Sequence, residues 1–414
     1  MINHFLKRTT PLLSLALFLL VGFTTPLQAQ KRYFPSYNDW ETRTPNTVGM
    51  NGSKLQEAVD FAIENETNAP RDQEQNHYTL SFGKEPYGYG IGPFKTRGPA
   101  TGLIIKDGYI VAQWGDPTSV DMTHSVTKTF LSSTVGLAWD KGLIKLDDLV
   151  YKDMAPVIPY EPYNMARNKS EGWGTPHVLS LWDTEHNQKI TWNHLLRQTS
   201  DWEGTLWGKP DWADRPNRET PREWTTRPRN EPGSVYKYND VRVNLLALSI
   251  MNIWRKPLPE VLKTEVMEKI DASKTWRWHG YENSWIILDG VVSQAVSGGG
   301  HWGGGMFINA YDQARLGYLT LNEGNWNGNQ ILSKEWMKHA TTPTKARKTY
   351  GFMNYFLNTD QALYPSAPAS AFAHLGAGTN MVYVDRENDL IIVARWIDRN
   401  ALDGLIGRVL ESLE

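Results

Sequence analysis

The chain has 414 residues, with 43 Lys or Arg against 45 Asp or Glu, so its formal net charge at pH 7 is −2. This balance gives no excess of positive charge, and we therefore expect neither nucleic acid nor an anionic membrane surface as a partner. The sequence contains no cysteine, which excludes disulfides, thiolate catalysis and cysteine-ligated metals. The length allows one large domain or two interleaved lobes with a sizeable core.

The N-terminus has the pattern of an export signal. A basic start at Lys7 is followed by an apolar segment at residues 12–23, too short for a comfortable membrane span, and by a small residue, Ala29, at a candidate cleavage site. We predict a signal peptide at residues 1–29 and an irregular N-terminal extension at residues 30–52. Because no cysteine is available for a lipid anchor, we expect a periplasmic or secreted protein without a stable membrane anchor.

Two β-hairpins are predicted, one near each end of the remaining chain. Apolar segments at residues 102–105 and 109–112 flank an Asp-Gly pair, which favours a tight hairpin turn. A second pair of apolar segments occupies residues 381–384 and 390–394. The simplest assembly joins both hairpins in one antiparallel sheet, with helices from both chain ends covering it.

Helical spacing of apolar residues predicts a first helix capped by Ser53 and a last helix at residues 402–413. Helical patterns also dominate the middle of the chain, at residues 129–140, 191–199, 241–254, 258–269 and 311–322. We therefore predict an α+β fold, an α/β sandwich whose antiparallel sheet is flanked by helices. A mostly helical lobe is inserted at about residues 130–340, and a cleft between lobes is a common ligand site.

Ser125 and Lys128 form the first candidate for chemistry. They lie three residues apart at the start of a predicted helix, so both side chains share one face and the lysine amine can reach the serine hydroxyl. A hydroxyl needs a neighbouring base to become a nucleophile, and a lysine with a lowered pKa can be that base. Taken alone, a Ser-x-x-Lys pattern also occurs by chance on solvated helix faces.

Two further motifs follow in order along the chain. Tyr238-Asn239-Asp240 comes after a Pro-Gly turn, and His374-Leu375-Gly376 precedes the C-terminal hairpin; a glycine-rich segment, residues 297–306, lies between them. The ordered set resembles the serine β-lactamase and penicillin-binding family. It is most similar to the class C branch with its D,D-carboxypeptidases, esterases and aminohexanoate-oligomer hydrolases. The resemblance extends from about residue 53 to the C-terminus, so residues 53–414 are expected to form one β-lactamase-like serine hydrolase domain.

The resemblance implies a role for each matching residue. Ser125 is the expected nucleophile, Lys128 its partner and Tyr238 the proton shuttle, active as a phenolate or through Lys128. The backbone amide of Ser125 and an amide of the strand after Gly376 are expected to form the oxyanion hole. His374 is expected to face a carboxylate or polar end of the substrate, with a hydrogen-bonded strand histidine as the alternative. No cofactor and no metal are expected, and the partner is a small-molecule or peptide-like ester or amide.

Asp240 departs from the family pattern, which has asparagine at this position. A carboxylate near Lys128 favours the ammonium form, which is a poorer base, and it either repels an anionic substrate or recognises an amine. His301, Trp302 and Trp202 are candidate cleft residues, and the glycines around His301 indicate a backbone that passes close to another group. For the two tryptophans and His301, packing in a tight turn is an equal alternative.

The leading hypothesis is an exported serine hydrolase that cleaves an ester or amide through an acyl-serine intermediate. Within the same class, a D,D-carboxypeptidase or β-lactamase acting on peptidoglycan-like substrates is the alternative. A non-catalytic binding protein that keeps the fold is a further alternative, and Asp240 is its only motivation. A carbohydrate-active enzyme ranks below these because no carboxylate pair has the placement that glycoside hydrolysis needs.

Overall fold

The computed structural model describes residue 1, residues 32–160 and residues 178–414. Within it, Tyr33–Glu414 forms one compact unit. The predicted signal peptide lies outside the described residues except for Met1. None of the helices in the described parts of the chain is long and apolar enough to cross a membrane.

Helices and strands alternate irregularly along the described residues. The helices are α1 (Gly52–Glu64), α2 (Gln73–Leu80), α3 (Thr127–Asp140), α4 (Val150–Asp153), α5 (Trp192–Leu196), α6 (Asp240–Trp254), α7 (Leu258–Leu262), α8 (Ala310–Leu321), α9 (Lys334–Ala340) and α10 (Leu402–Glu411). The longer strands are β1 (Thr101–Lys106), β2 (Tyr109–Trp114), β7 (Arg277–Leu288), β8 (Val291–Val296), β9 (Gly305–Ile308), β13 (Phe372–Gly376), β14 (Asn380–Asp385) and β15 (Leu390–Arg395). The two-residue strands are β3 (Asp121–Met122), β4 (Ile158–Pro159), β5 (Thr205–Leu206), β6 (Lys209–Pro210), β10 (Asn325–Trp326), β11 (Asn329–Gln330) and β12 (Phe356–Leu357).

The main sheet has six strands in the order β12-β13-β14-β15-β1-β2, and every neighbouring pair is antiparallel. Its centre joins the two ends of the chain, because β1 pairs with β15 in a register that sets Leu103 opposite Val393. Both predicted hairpins are present; the first turns at Asp107 and Gly108, whose φ angles of 53° and 88° suit a primed turn. The predicted α+β sandwich is confirmed.

Both faces of the sheet are buried, which explains why its strands are continuous apolar runs rather than alternating ones. Successive residues point to opposite faces, so Ile104 and Ile392 contact one core and Leu103 and Val393 the other. The first core is closed by α1 and α10, the helices nearest the two chain ends. The second contains residues of α3, α6 and α8 and extends into the inserted segment.

The inserted segment contains most of α3 and the helices α4 to α9, and it also contains strands that were not predicted. These strands form a second antiparallel sheet in the order β3-β9-β7-β4, with β8 paired to β7; β3 lies just before the segment. The hairpin of β7 and β8 turns at Asp289 and Gly290, both at positive φ. The same Asp-Gly signal that identified the first hairpin was therefore also available here. The limits of several helices also differ: the cap of α1 is Asn51 rather than Ser53, since the Asn51 side chain accepts from the Lys54 amide.

Candidate active site

Ser125 lies where an extended segment turns into a buried helix. After β3, a single 3₁₀ turn at His124–Val126 leads directly into α3. His124, immediately before the serine, has a φ angle of 46°, a backbone conformation that few residues other than glycine adopt readily. The turn leaves Ser125 partly exposed while the helix that follows, α3, is almost entirely buried, so the serine is presented at the edge of the core.

Lys128 connects Ser125 to Asp240. The Lys128 Nζ donates to Ser125 Oγ at 2.7 Å and to Asp240 Oδ1 at 2.6 Å. Asp240 is the first residue of α6, where a carboxylate is favoured by the helix dipole, and Asn239 caps the same helix by accepting from the Arg242 amide. The structure thus brings the Ser-x-x-Lys and Tyr-Asn-Asp motifs together, with side-chain exposures of 0% and 1% for Lys128 and Asp240.

The Lys128–Asp240 pair is ionised. Burial opposes the charge on Lys128, but Asp240 and Tyr238 together outweigh burial and raise the lysine pKa. Burial likewise opposes the carboxylate, yet Lys128 and then Arg215 hold the pKa of Asp240 well below its usual range. The serine hydroxyl is therefore hydrogen-bonded to an ammonium, and a neutral lysine base is disfavoured, as the presence of Asp240 predicted.

A shell of further charges surrounds Asp240. Arg215 Nη1 donates to Asp240 Oδ2 at 2.8 Å and to Asp214 Oδ1 at 2.5 Å. His301 Nε2 lies 2.8 Å from Glu85 Oε2. Ligand atoms of Glu85, Asp214 and His301 lie within 4.8 Å of one another, a spacing that could suit a cation. Since Arg215 already pairs with Asp214 and His301 with Glu85, we assign the cluster as a network of charged hydrogen bonds.

Tyr238 stands between two cations. Its ring centroid is 4.7 Å from Lys128 Nζ and 4.9 Å from Arg215 Cζ. Tyr238 is also one of the causes of the raised Lys128 pKa, after burial and Asp240. Tyr350 packs edge-on against the Tyr238 ring, and Phe356 lies roughly parallel to it. These two contacts hold the ring in place.

A cavity of about 390 Å³ opens beside Ser125. Its floor and walls are formed by Ser125, aromatic and small residues, and cations: Phe82, Arg215, Tyr236, Tyr238, Arg347, Phe356, Leu375, Gly376, Ala377, Gly378, Thr379, Arg399 and Leu402. The lining contains three arginines and no acidic residue. A larger cavity, about 500 Å³, lies between residues 38–42 and α8 and holds none of the predicted site residues.

Gly376 lies against the serine turn. A Cβ at this position would be 2.2 Å from the Thr123 carbonyl oxygen and 3.3 Å from the Ser125 amide nitrogen, so only glycine lets β13 pass this close. The end of the strand and the Ser125 amide are thus adjacent, which is the arrangement that the predicted oxyanion hole requires. That role for the two amides stays a prediction.

His374 is placed differently from the expectation that it faces a substrate. Its side chain is fully buried, and Nδ1 lies 3.2 Å from the Asn354 carbonyl oxygen. The Tyr355 ring packs edge-on with its centroid 4.6 Å away, and His374 is not among the residues that line the cavity. Burial lowers the His374 pKa to about 4, and the ring is neutral near pH 7. The alternative of a hydrogen-bonded strand histidine describes this placement.

The glycine-rich segment packs against the ionised pair. A Cβ at Gly299 would be 2.0 Å from Asp240 Oδ1 and 2.2 Å from Lys128 Nζ, so the close backbone approach inferred from the glycines is real. Trp302 and Trp202 are both buried in the core, with exposures of 1% and 0%, and neither lines the cavity at Ser125. Their packing alternative therefore describes them.

Several residues of the site were not found from the sequence. Phe82, Glu85, Asp214 and Arg215 come from loops without hydrophobic periodicity, and their side chains meet the motifs only through the tertiary fold. No local pattern marks an isolated Asp-Arg pair as part of a buried charge network. Arg347 and Arg399, which line the cavity, were missed for the same reason.

Comparison with known proteins identifies the family. The family model described as "Beta-lactamase" matches residues 98–396, which is most of the chain, and the protein belongs to this family of hydrolases. A protein of Escherichia coli O157:H7, provisionally named a D-alanyl-D-alanine carboxypeptidase, is 23% identical over 209 residues, covering 42% of this chain and 46% of that protein. The match thus spans less than half the length of this relative. The family predicted from the ordered motifs is confirmed.

Solved structures support the same fold. EstCE1, a hydrolase with promiscuous acyltransferase activity, superposes with a TM-score of 0.52 at 13% identity, covering 87% of this chain and 98% of its own. SurE superposes with the same TM-score at 12% identity, covering 87% of this chain and 74% of its own. At such identities the likeness concerns the fold, and the chemistry has to be argued from the site.

Proposed function

We propose that the protein is an exported serine hydrolase that cleaves an ester or amide through an acyl-serine intermediate. The single observation that carries the proposal is the 2.7 Å hydrogen bond between Lys128 Nζ and Ser125 Oγ at the floor of a cavity. The Tyr238 ring lies beside Lys128, and Tyr238 lines the same cavity as Ser125, which supports roles as nucleophile, cation and proton acceptor for the three residues. The export part of the proposal rests on the signal-peptide pattern of residues 1–29.

In the proposed mechanism, the Lys128–Tyr238 pair first loses one proton. Ser125 Oγ then attacks the substrate carbonyl carbon while the pair takes the hydroxyl proton. The negative charge moves to the carbonyl oxygen, where the amides of Ser125 and the end of β13 stabilise it. Collapse of the tetrahedral intermediate breaks the bond to the leaving group, which receives the proton from the same pair. Water then attacks the acyl-serine ester and gives a proton to the pair. Collapse of this second intermediate breaks the bond to Ser125 Oγ, and the pair returns the proton to that oxygen, which releases the acid and free Ser125.

A second candidate, a D,D-carboxypeptidase, is favoured by the charge of the cavity. Arg215 is neutralised by Asp214 and Asp240, but Arg347 and Arg399 form no ion pair with any described residue. Two uncompensated guanidinium groups favour a substrate that carries a carboxylate, which is the charge at the end of a peptide. This feature also offsets the expected repulsion of an anion by Asp240.

A fluorophosphonate probe tests the proposal directly. We expect stoichiometric labelling of the wild type, detected as an added mass on the peptide containing Ser125, and no labelling of Ser125→Ala. p-Nitrophenyl esters, nitrocefin and D-Ala-D-Ala peptides then separate the esterase, β-lactamase and carboxypeptidase activities. A folded wild type that resists the probe and turns over none of these substrates would favour the non-catalytic binding protein. The N-terminal sequence of the secreted protein tests the cleavage after residue 29.

A further inference from the structure

His301 lies behind the wall of the cavity rather than in it. The side chain is fully buried, and its ring stacks on Phe82 with centroids 3.9 Å apart. Phe82 lines the cavity beside Ser125, whereas His301 does not. The histidine therefore has no access to a substrate, and any influence on the chemistry must pass through the groups that it contacts.

Both ring nitrogens of His301 face carboxylates. Nε2 lies 2.8 Å from Glu85 Oε2 and 3.8 Å from Asp214 Oδ1. Nδ1 lies 3.3 Å from Asp240 Oδ2, an ion-pair contact that falls short of a well-aligned hydrogen bond. A neutral imidazole has one N–H and one lone pair, so either tautomer would aim a lone pair at a carboxylate. Only the imidazolium, which donates from both nitrogens, suits this position.

The count of charges leads to the same assignment. The network joins three carboxylates, Asp240, Asp214 and Glu85, to three groups that can be cations. Those groups are Lys128, Arg215 and His301. With His301 protonated the buried cluster is neutral, and without that proton it holds one excess negative charge. Buried charges are tolerated when they are paired, so the fold favours the protonated form.

The surroundings of His301 support its positive charge. Burial opposes the charge, and Arg215 opposes it further, but the carboxylates outweigh both and raise the His301 pKa. Two other histidines, His77 and His124, lie close enough to interact with it. Burial lowers the pKa of each, to about 4 for His124, so neither adds a competing charge near pH 7.

We propose that His301 is a positioning residue that, as an imidazolium, shares Asp240 with Lys128 and thereby limits how strongly Asp240 holds the lysine as an ammonium. Asp240 divides its charge among Lys128, Arg215 and His301, at 2.6, 2.8 and 3.3 Å. Loss of the positive charge on His301 concentrates the attraction of Asp240 on Lys128. The Lys128–Tyr238 pair then gives up a proton less readily. The inference rests on the proposed function for its kinetic consequence, but the charge state of His301 is independent of it.

The pH dependence of kcat/KM for a neutral ester tests the kinetic consequence. In His301→Gln, which removes the charge but keeps one donor and one acceptor, the acid limb should move to higher pH. At a fixed pH below that limb, kcat/KM should fall about tenfold, the effect of roughly one pH unit. KM should not change, because His301 does not reach the cavity. In the background of Asp240→Asn, His301→Gln should produce no further shift, because the route through Asp240 is gone.

The control variants distinguish this route from general disruption. Glu85→Gln removes the charge of another carboxylate that contacts His301. It should move the acid limb of the kcat/KM profile in the same direction by a smaller amount. His186→Gln replaces a partly buried histidine that contacts the Asp201 carbonyl and should leave the profile unchanged. Superimposable profiles for His301→Gln and the wild type, or fully additive shifts in the double variant, would overturn the proposal.

The ¹⁵N shifts of the imidazole give a readout that does not require activity. In uniformly labelled wild-type protein at pH 7, both His301 nitrogens should have imidazolium shifts, assigned by the signals that disappear in His301→Gln. A neutral tautomer at pH 7 would contradict the assignment. So would a stoichiometric metal ion that co-purifies with the wild type and is lost in the variant. If the shifts are imidazolium but the fluorophosphonate probe fails, the proposed hydrolase function falls and the network remains.

Discussion

Asp240→Asn removes the central carboxylate of the site while keeping its size. At 2.6 Å and an effective dielectric constant of about 20, two unit charges attract by roughly 6 kcal/mol. Desolvation of both ions offsets most of this, and loss of one partner of a buried pair typically costs about 3–5 kcal/mol because the remaining charge is uncompensated. Since Arg215 and His301 also lose a partner, we expect the free energy of unfolding near pH 7 to fall by about 3 kcal/mol.

The pH range in which stability changes differs between the two proteins. In the wild type, the depressed pKa of Asp240 contributes stability that is fully present above the ordinary carboxyl pKa and is lost in strong acid. In the variant, the Asp240 carboxylate no longer offsets the burial of Lys128, so the lysine loses its proton more easily in the folded protein. As the pH rises, the unfolded chain then binds more protons than the folded one. The stability deficit of Asp240→Asn should therefore shrink with increasing pH in urea titrations.

Activity should respond in the opposite direction to stability. Without the carboxylate, the Lys128–Tyr238 pair loses its proton more readily, so the acid limb of kcat/KM should move to lower pH. Substrates with a carboxylate beside the scissile bond should gain, and those with an amine there should lose. Asp312→Asn is the matched control, because Asp312 is also buried but bonds Ser273 rather than Lys128. Superimposable pH profiles and equal stabilities for Asp240→Asn and the wild type would refute an ionised Lys128–Asp240 pair.

The remaining predictions concern the same cluster. Lys128→Ala and Tyr238→Phe should each lower the single-turnover acylation rate by several orders of magnitude. The double variant should be little slower than either single variant, because the two groups act as one proton-transfer unit. Fully additive losses would contradict this shared role. EDTA should leave activity unchanged, and a loss that zinc restores would contradict the assignment of the Glu85 cluster as a hydrogen-bond network. Gly299→Ala should abolish activity and destabilise the fold, because its methyl group would overlap Lys128 and Asp240; a fully active, equally stable variant would show that the segment does not contact the pair.

The parts of the fold that follow from local rules were predictable. The Asp-Gly turn at residues 107–108 identified the first hairpin, and helical spacing placed Ser125 and Lys128 on one face, where they are hydrogen-bonded. The hairpin at residues 277–296 carries the same turn signal, but it was not predicted. The helical patterns on either side of it favour a helical lobe over this part of the chain. His374 and Gly376 both belong to the end of β13, but their surroundings differ. Gly376 lies against the serine turn, whereas Asn354 and Tyr355 contact the His374 side chain.

The charge network could not be predicted because it depends on contacts between distant segments. Glu85 and His301 are 216 residues apart in the chain, and Lys128 and Asp240 are 112 apart. The sequence alone shows that Asp240 stands where the family has asparagine. It does not show which cationic groups balance the charge of this carboxylate. Only the tertiary structure shows that Arg215 and His301 contact the second oxygen of the same carboxylate.

This compensation bears on the alternative of a non-catalytic binding protein. An aspartate placed beside a catalytic lysine without other changes would fix the lysine as an ammonium and leave a degenerate site. Here the second oxygen of Asp240 is engaged by Arg215 and His301, while Gly299 leaves room for the pair to stay in contact. Each of these features costs stability or restricts sequence if the site has no chemistry to perform, since burying several ionised groups is seldom more stable than packing apolar ones. The arrangement is better explained by a hydrolase whose proton-transfer pair is tuned by a carboxylate than by a site in decay.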